Sequence, residues 1–150
     1  MKKKLITAAA VLLLAGFASP AYADESGLHP DVEFTLDALP VGTVVDPFTV
    51  EWPDKGMTLS VPRPFARAVG TCATGQYCAY SAPGGTGTRL SFGTCTTVST
   101  SALSVVASVA NARSSANVHA RTSAGRVLAT AAAGTRVNVT GAVTSLQCIA

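Results

Sequence analysis

Four cysteines are the residues of this chain whose type and spacing could carry the most chemistry. Cys72 and Cys78 are separated by five residues, whereas Cys95 and Cys148 lie far apart. Structural zinc sites usually place cysteine pairs about two to four residues apart, and a redox dithiol prefers Cys-x-x-Cys. The spacing therefore argues against a metal centre and a redox centre, and we expect neither a metal nor another cofactor.

The start of the chain predicts the compartment in which these cysteines lie. Lys2, Lys3 and Lys4 precede an apolar stretch, which is followed by the sequence Ala21-Tyr22-Ala23. A basic stretch, a short apolar stretch and an A-x-A site form a secretory signal peptide. We therefore predict a signal peptide over residues 1–23 and a secreted, extracellular protein without a transmembrane segment.

In an oxidising compartment, four cysteines are expected to form two disulfide bonds. Three pairings are possible from the sequence. Cys72 with Cys78 is the local choice, because Gly75 allows the chain to turn back between them. Cys95 would then pair with Cys148.

The distribution of acidic residues excludes most catalytic sites. No Asp or Glu occurs between Lys55 and Ala150. This part of the chain therefore cannot supply a pair of carboxylates for glycoside hydrolysis, or an Asp to orient His119 in a nucleophile triad. We expect a protein that is not an enzyme, with His119 an ordinary strand residue.

Composition divides the chain after the signal peptide into two regions. Residues 24–70 are acidic and rich in proline, and we interpret them as an N-terminal segment that ends in a linker from Pro62 to Gly70. Within it, the alternation of Val32, Phe34 and Leu36 with polar residues predicts a strand, and Phe48 to Val61 predicts a short hairpin. Residues 71–150 contain short β-prone runs between Gly and Ser turns, which predict an all-β sandwich or barrel.

A weak internal repeat suggests that residues 71–150 form two similar units of about four strands each. Tyr80 and Gly87 are separated by six residues, and so are Val118 and Gly125. An aromatic residue, six residues and a glycine resemble the βγ-crystallin signature, and the pattern C-x5-C-x-Y-x6-G resembles the secreted peptidase inhibitors of actinobacteria that share this fold. The resemblance covers residues 71–150 and implies two Greek-key units, with Tyr80, Gly87 and Gly125 as the fold signature.

The resemblance also implies a function, namely a peptidase inhibitor that blocks an extracellular protease with a rigid loop. The candidate loop follows the local cysteine pair and contains Ser81, Ala82, Pro83, Gly84, Gly85 and Thr86. A second candidate is the turn from Thr122 to Arg126. Calcium binding is not expected, because Ala110 and Arg113 occupy the stretch where a crystallin-like domain would carry ligands.

The alternative is a non-catalytic binding protein of the cell envelope. Residues 71–150 carry five arginines and no acidic residue, a distribution that suits anionic polymers. The candidate anion-binding residues are Arg89, Arg113, Arg121, Arg126 and Arg136. The aromatic residues that accompany specific nucleic-acid binding are missing around them.

Overall fold

A computed structural model describes residues 27–65 and 71–150. The predicted signal peptide and most of the predicted linker lie outside the described residues. The described residues form one short α-helix, one 3-10 helix (Pro53–Lys55) and eleven strands. In chain order these are α1 (Pro30–Ala38), β1 (Thr43–Asp46), β2 (Thr49–Trp52), β3 (Met57–Ser60), β4 (Tyr77–Ala82), β5 (Thr86–Phe92), β6 (Thr97–Ser99), β7 (Ser108–Asn111), β8 (Asn117–Arg121), β9 (Val127–Ala131), β10 (Arg136–Asn138) and β11 (Ser145–Ile149).

The strands form two antiparallel sheets, which confirms the predicted all-β sandwich. One sheet has seven strands in the order β1-β2-β3-β5-β4-β7-β10, and the other has four in the order β6-β11-β8-β9. Apolar side chains from both sheets meet in a common core, with Trp52, Tyr77, Leu90, Phe92 and Leu146 among its largest members. In the described part of the chain, no helix is long and apolar enough to cross a membrane.

The strand order relates two units of four strands each, β4–β7 and β8–β11. In the first unit β5, β4 and β7 are neighbours, and in the second β9, β8 and β11 are neighbours. The third strand of each unit pairs with the other unit, because β6 joins β11 and β10 joins β7. Two units of similar strand order agree with the internal repeat, whereas their description as Greek keys stays a prediction.

The N-terminal segment continues the larger sheet. β2 and β3 form the predicted hairpin, joined by the 3-10 helix Pro53–Lys55 and by Gly56 in the left-handed conformation. β3 then pairs with β5 in a regular register from Met57 opposite Phe92 to Ser60 opposite Arg89. The sheet thus crosses the predicted boundary at residue 70, and the hairpin is stabilised by docking on the second region rather than standing alone.

The strand predicted at Val32, Phe34 and Leu36 is wrong, because these residues lie in α1. Pro30 occupies the start of the helix, where its missing N–H costs nothing, and the Nδ1 atom of His29 accepts a hydrogen bond from the backbone N–H of Asp31 at 3.1 Å. The buried residues Val32 and Thr35 are three positions apart, which is a helical spacing. The hydroxyl of Thr35 lies 2.6 Å from the carbonyl oxygen of Asp31 and 2.7 Å from that of Ala102, and it can donate to one of them at a time. The contact with Ala102 places α1 against the second region.

Candidate functional site

The candidate loop Ser81–Thr86 forms the tip of the hairpin between β4 and β5. Ser81 and Ala82 end β4, Pro83 to Gly85 make the turn, and Thr86 begins β5. Pro83, Gly84 and Thr86 are exposed, whereas Gly85 is buried. The tip therefore offers a small convex surface whose side chains are short and uncharged.

Hydrogen bonds from two other strands anchor this tip. Ser108, the fully buried first residue of β7, donates from its hydroxyl to the carbonyl oxygen of Ala82 at 2.7 Å and accepts from the N–H of Gly85 at 2.9 Å. Asn138, the last residue of β10, accepts from the N–H of Gly84 at 2.8 Å. The turn is thus held at three backbone atoms by side chains outside the hairpin. Sequence reasoning did not identify either anchor, since each lies more than twenty residues from the turn.

Gly87 and Tyr80 lie at the base of the same hairpin. Gly87 has φ +77°, and a Cβ added there would collide with the hydroxyl of Ser81 and lie 3.1 Å from the backbone nitrogen of Ala82. The Ser81 hydroxyl cannot easily move, because it accepts a hydrogen bond from the N–H of Thr88 at 2.8 Å. This crowding explains why a glycine is needed at position 87.

Tyr80 is buried beneath the segment that carries Cys72. It packs with Cys72, Cys78 and Ala110 in a small cluster that is separate from the main core. Burial raises the pKa of the Tyr80 phenol, while the charges of Arg89 and Arg136 oppose that rise. Tyr80 therefore packs between the sheet and the disulfide, and it is not an exposed contact residue.

Both disulfides are present, with the pairing expected from the sequence. Cys72 is bonded to Cys78 with the two Cα atoms 5.8 Å apart, and Cys95 is bonded to Cys148 with the Cα atoms 5.1 Å apart. The first bond closes a loop within the first unit and covers Tyr80. The second joins the segment between β5 and β6 to the last strand of the second unit.

The second hairpin, between β8 and β9, has a longer turn than the first. The last paired residues are Ala82 and Thr86 in the first hairpin and Arg121 and Val127 in the second, so three and five residues lie between them. Gly125 lies in the second turn with φ +78°, close to the φ +77° of Gly87. The role of Gly125 as the counterpart of Gly87 stays a prediction.

The turn of the second hairpin is anchored from within. Arg121, the last residue of β8, donates from Nε and Nη2 to the carbonyl oxygen of Gly125 at 2.9 and 2.7 Å. The N–H of Gly125 donates to the carbonyl oxygen of Thr122 at 2.9 Å. Nη1 of the same guanidinium donates to the side-chain carbonyl oxygen of Gln147 in β11 at 2.5 Å, so the neighbouring strand also holds this side chain.

The five candidate anion-binding arginines do not act alike. Three of them donate to backbone carbonyl oxygens: Arg89 to Thr71, Arg113 to Gly75 and Gly93, and Arg121 to Gly125. The side chain of Arg136 packs beside Gly85, so it supports the first hairpin turn. Arg126 is exposed after the second turn. Most of these side chains therefore have structural contacts, and the arrangement gives the envelope-polymer alternative no particular support.

A cavity of about 250 Å³ lies beside the first hairpin. Its lining includes Pro30 and Phe34 from α1, Ser81 and Thr88 from the hairpin, and Leu103. Phe34 is 45% exposed. The hydroxyl of Thr88 hydrogen-bonds to the carboxylate of Asp31 and ties the helix to the hairpin here. The N-terminal segment thus contributes an apolar surface next to the candidate loop, which the sequence analysis did not foresee.

Within residues 27–65 and 71–150, no group of three or more His, Cys, Asp or Glu side chains converges on a point that could hold a metal ion. His119 lies in β8, and its Nδ1 atom contacts the hydroxyl of Thr130 at 2.9 Å. His119 thus contacts the neighbouring strand β9, and its role as an ordinary strand residue stays a prediction.

Fold and site together define a small β-sandwich with two disulfides and a firmly anchored hairpin tip. Residues 66–124 match the model of peptidase inhibitor family I36, which confirms the inhibitor resemblance predicted from the sequence. The match spans the first unit and the beginning of the second. The comparison with curated proteins gives no match, and neither does the comparison with solved structures.

Proposed function

We propose that this protein is a secreted peptidase inhibitor that blocks an extracellular protease with the tip of the β4–β5 hairpin, residues Ser81–Thr86. The family match indicates a peptidase inhibitor and thus a protease partner. The observation that supports this loop is its anchoring by Ser108 and Asn138, which lie outside the hairpin.

Rigidity matters because association costs free energy when a flexible loop must be ordered. The backbone of this turn is already fixed at Ala82, Gly84 and Gly85 before any partner arrives. A protease would therefore meet a preformed surface. The same rigidity would resist the distortion that peptide-bond cleavage requires, so the loop would be a poor substrate.

The anchoring also constrains how the loop would make contact. The carbonyl oxygens of Ala82 and Pro83 and the N–H groups of Gly84 and Gly85 have partners within the protein. These groups are not free to pair with a strand of the protease. We therefore propose that the tip acts as a plug, through the exposed surfaces of Pro83, Gly84 and Thr86, with Phe34 beside it.

Phe34 would extend the contact beyond the tip. Aromatic side chains are enriched among the residues that dominate binding energy at protein interfaces. The ring lies beside the cavity that Ser81 also lines, so one partner could cover both. In this proposal the N-terminal segment belongs to the inhibitory surface.

The test is a titration of a panel of extracellular metalloproteases and serine proteases with the protein lacking residues 1–23. At least one protease should lose activity in proportion to added inhibitor. The inhibitor function would have to be abandoned if every protease kept full activity at a large molar excess.

The loop itself is tested with one variant in each turn. Pro83→Arg places a long charged side chain on the first tip, and Ser123→Arg places one at an exposed position of the second turn. Pro83→Arg should weaken inhibition by about 10-fold or more, since even one poorly accommodated charge at an interface costs over about 1.4 kcal/mol. Ser123→Arg should leave inhibition unchanged. The reverse result would move the inhibitory contact to the Thr122–Arg126 turn.

A further inference from the structure

The edge strand β6 presents backbone groups that no described part of the protein uses. β6 is the outermost strand of the four-stranded sheet and pairs only with β11 there. The carbonyl oxygen of Thr96 accepts from Cys148, and the N–H of Thr100 donates to Thr144, each at 3.1 Å. In an antiparallel pair, alternate residues point their backbone groups at the partner. The N–H and C=O groups of Thr97 and Ser99 therefore point away from β11.

An apolar cleft runs beside this free edge. It has a volume of about 430 Å³, which lies within the range of ligand-binding pockets. Its apolar lining comes from Leu39, Met57, Phe92 and Val98. Asp54 and Lys55 also line it, at an exposed turn. A backbone lying along β6 would thus have an apolar pocket within reach of its side chains.

The edge is held in a fixed position. The disulfide between Cys95 and Cys148 ties the chain just before β6 to β11. The buried Tyr77 places its hydroxyl 3.2 Å from the carbonyl oxygen of Thr94 and 3.0 Å from that of Thr96, and it can donate to one of them at a time. A partner strand would consequently find β6 already ordered, which lowers the cost of binding.

β6 carries no charged residue, proline or bulge that would block pairing with a further strand. Natural proteins block exposed edges with such features or with very short strands, and β6 has three residues, of which Thr97 and Ser99 face outward. The outer strand β1 of the larger sheet is blocked, since it has an irregular register before Asp46 and is followed by Pro47. β6 reads Thr-Val-Ser, without a charge or a proline, and pairs with β11 in a regular register.

We propose that β6 and the cleft beside it bind an extended polypeptide segment of another protein. The segment adds as a strand to β6, bonds to the backbone groups of Thr97 and Ser99, and places an apolar side chain in the cleft. An extended polypeptide is the ligand that these features specify, because alternate N–H and C=O groups along an edge match a peptide backbone. The site is at the opposite end of the β4 and β5 strands from the hairpin tip, since Phe92 lines it and Thr86 does not. The proposal therefore does not depend on the inhibitor function.

The experiment uses a random heptapeptide library displayed on phage and selected on the protein lacking residues 1–23. Selected peptides should carry apolar residues at alternate positions, and a synthetic copy of one should slow hydrogen exchange at the amides of Thr97 and Ser99. The Thr97→Pro variant cannot donate this hydrogen bond, and a proline is tolerated on the open side of an edge strand. We expect it to bind the peptide about tenfold more weakly, while Thr97→Ser binds it like the original protein.

The proposal is overturned if no selected peptide slows exchange at these two amides in the unmodified protein, a readout that does not require any variant to fold. It is also overturned if a concentration-dependent dimer forms and Thr97→Pro abolishes it, because the occupant would then be a second copy of this chain. Pro83→Arg should bind the peptide normally. Loss of peptide binding in that variant would contradict the separation of the two sites, whereas loss of protease inhibition alone concerns only the hairpin.

Discussion

Each unit of the sandwich begins with a β-hairpin, and the turns of the two hairpins differ in length and in the side chains that anchor them. In the first, Ser108 and Asn138 reach the turn from β7 and β10. In the second, Arg121 holds the turn from within the hairpin itself. The first turn is thus held directly by side chains of other strands, whereas the second is held by a side chain of its own hairpin, which in turn bonds to Gln147 of β11.

This difference bears on the proposed inhibition. A loop fixed by the buried Ser108 cannot relax without disturbing the core, which suits a contact surface that must stay rigid in a protease cleft. The second turn is fixed by the long side chain of Arg121, which bonds to both Gly125 and Gln147. Substitutions in each unit test this difference between the two hairpins.

The two disulfides should give the largest effect. Replacing Cys95 and Cys148 by alanine opens a 53-residue separation, whereas replacing Cys72 and Cys78 opens one of six. The chain-entropy relation predicts losses of about 4 kcal/mol and about 2 kcal/mol in the free energy of unfolding. Urea unfolding of both double variants measures this. A larger loss for the short loop would mean that packing over Tyr80, rather than chain entropy, determines its contribution.

The anchor Ser108 should have the next largest effect. Ser108→Ala leaves the carbonyl oxygen of Ala82 and the N–H of Gly85 without their buried partner, and each such loss costs about 1–3 kcal/mol. We expect the free energy of unfolding to fall by about 3 kcal/mol and inhibition to weaken even where the protein remains folded.

Ser145 provides the matched control, because it is the first residue of β11 as Ser108 is of β7. Ser145→Ala should change stability by less than about 0.5 kcal/mol, as for a substitution away from a buried contact. Equal losses for the two serines would contradict the different anchoring of the two hairpins.

Much of this organisation could be predicted from the sequence, because it depends on local patterns. Short β-prone runs predicted the sandwich, and the spacing of Cys72 and Cys78 predicted the local disulfide. The prediction of a strand around Phe34 was wrong. The alternation of apolar residues favoured a strand, but a helix begins at Pro30, and the burial of Val32 and Thr35 stabilises that helix. The anchors Ser108 and Asn138 could not be predicted, since only the exchange of third strands brings β10 near the first turn.

The stability losses caused by Gly87→Ala and Gly125→Ala compare the backbone conformation of the two hairpins. Gly87→Ala forces a Cβ into left-handed backbone at φ +77° beside the backbone of Ala82, whereas Gly125→Ala at φ +78° places a Cβ 3.4 Å from the end of the Arg121 side chain. Left-handed strain costs about 1–2 kcal/mol in both. The steric collision should bring the loss for Gly87→Ala to about 2 kcal/mol or more, against about 1 kcal/mol for Gly125→Ala. Thermal unfolding measures the difference, and equal losses would imply that the Ser81 hydroxyl moves aside.

Replacing the tyrosines should have the smallest effect on stability. Tyr77 and Tyr80 both lie in β4, whereas β8–β11 contain no tyrosine, so this effect concerns the first unit. Burial raises the pKa of both phenols above the usual value. The folded protein therefore holds these protons more tightly than the unfolded chain. This contribution to stability is complete below about pH 10 and is lost as the pH rises through the raised values. Urea unfolding at several pH values should show a loss above about pH 10 that is smaller in the double variant Tyr77→Phe, Tyr80→Phe. If the double variant loses as much stability as the original protein, the alkaline sensitivity comes from groups other than these two phenols.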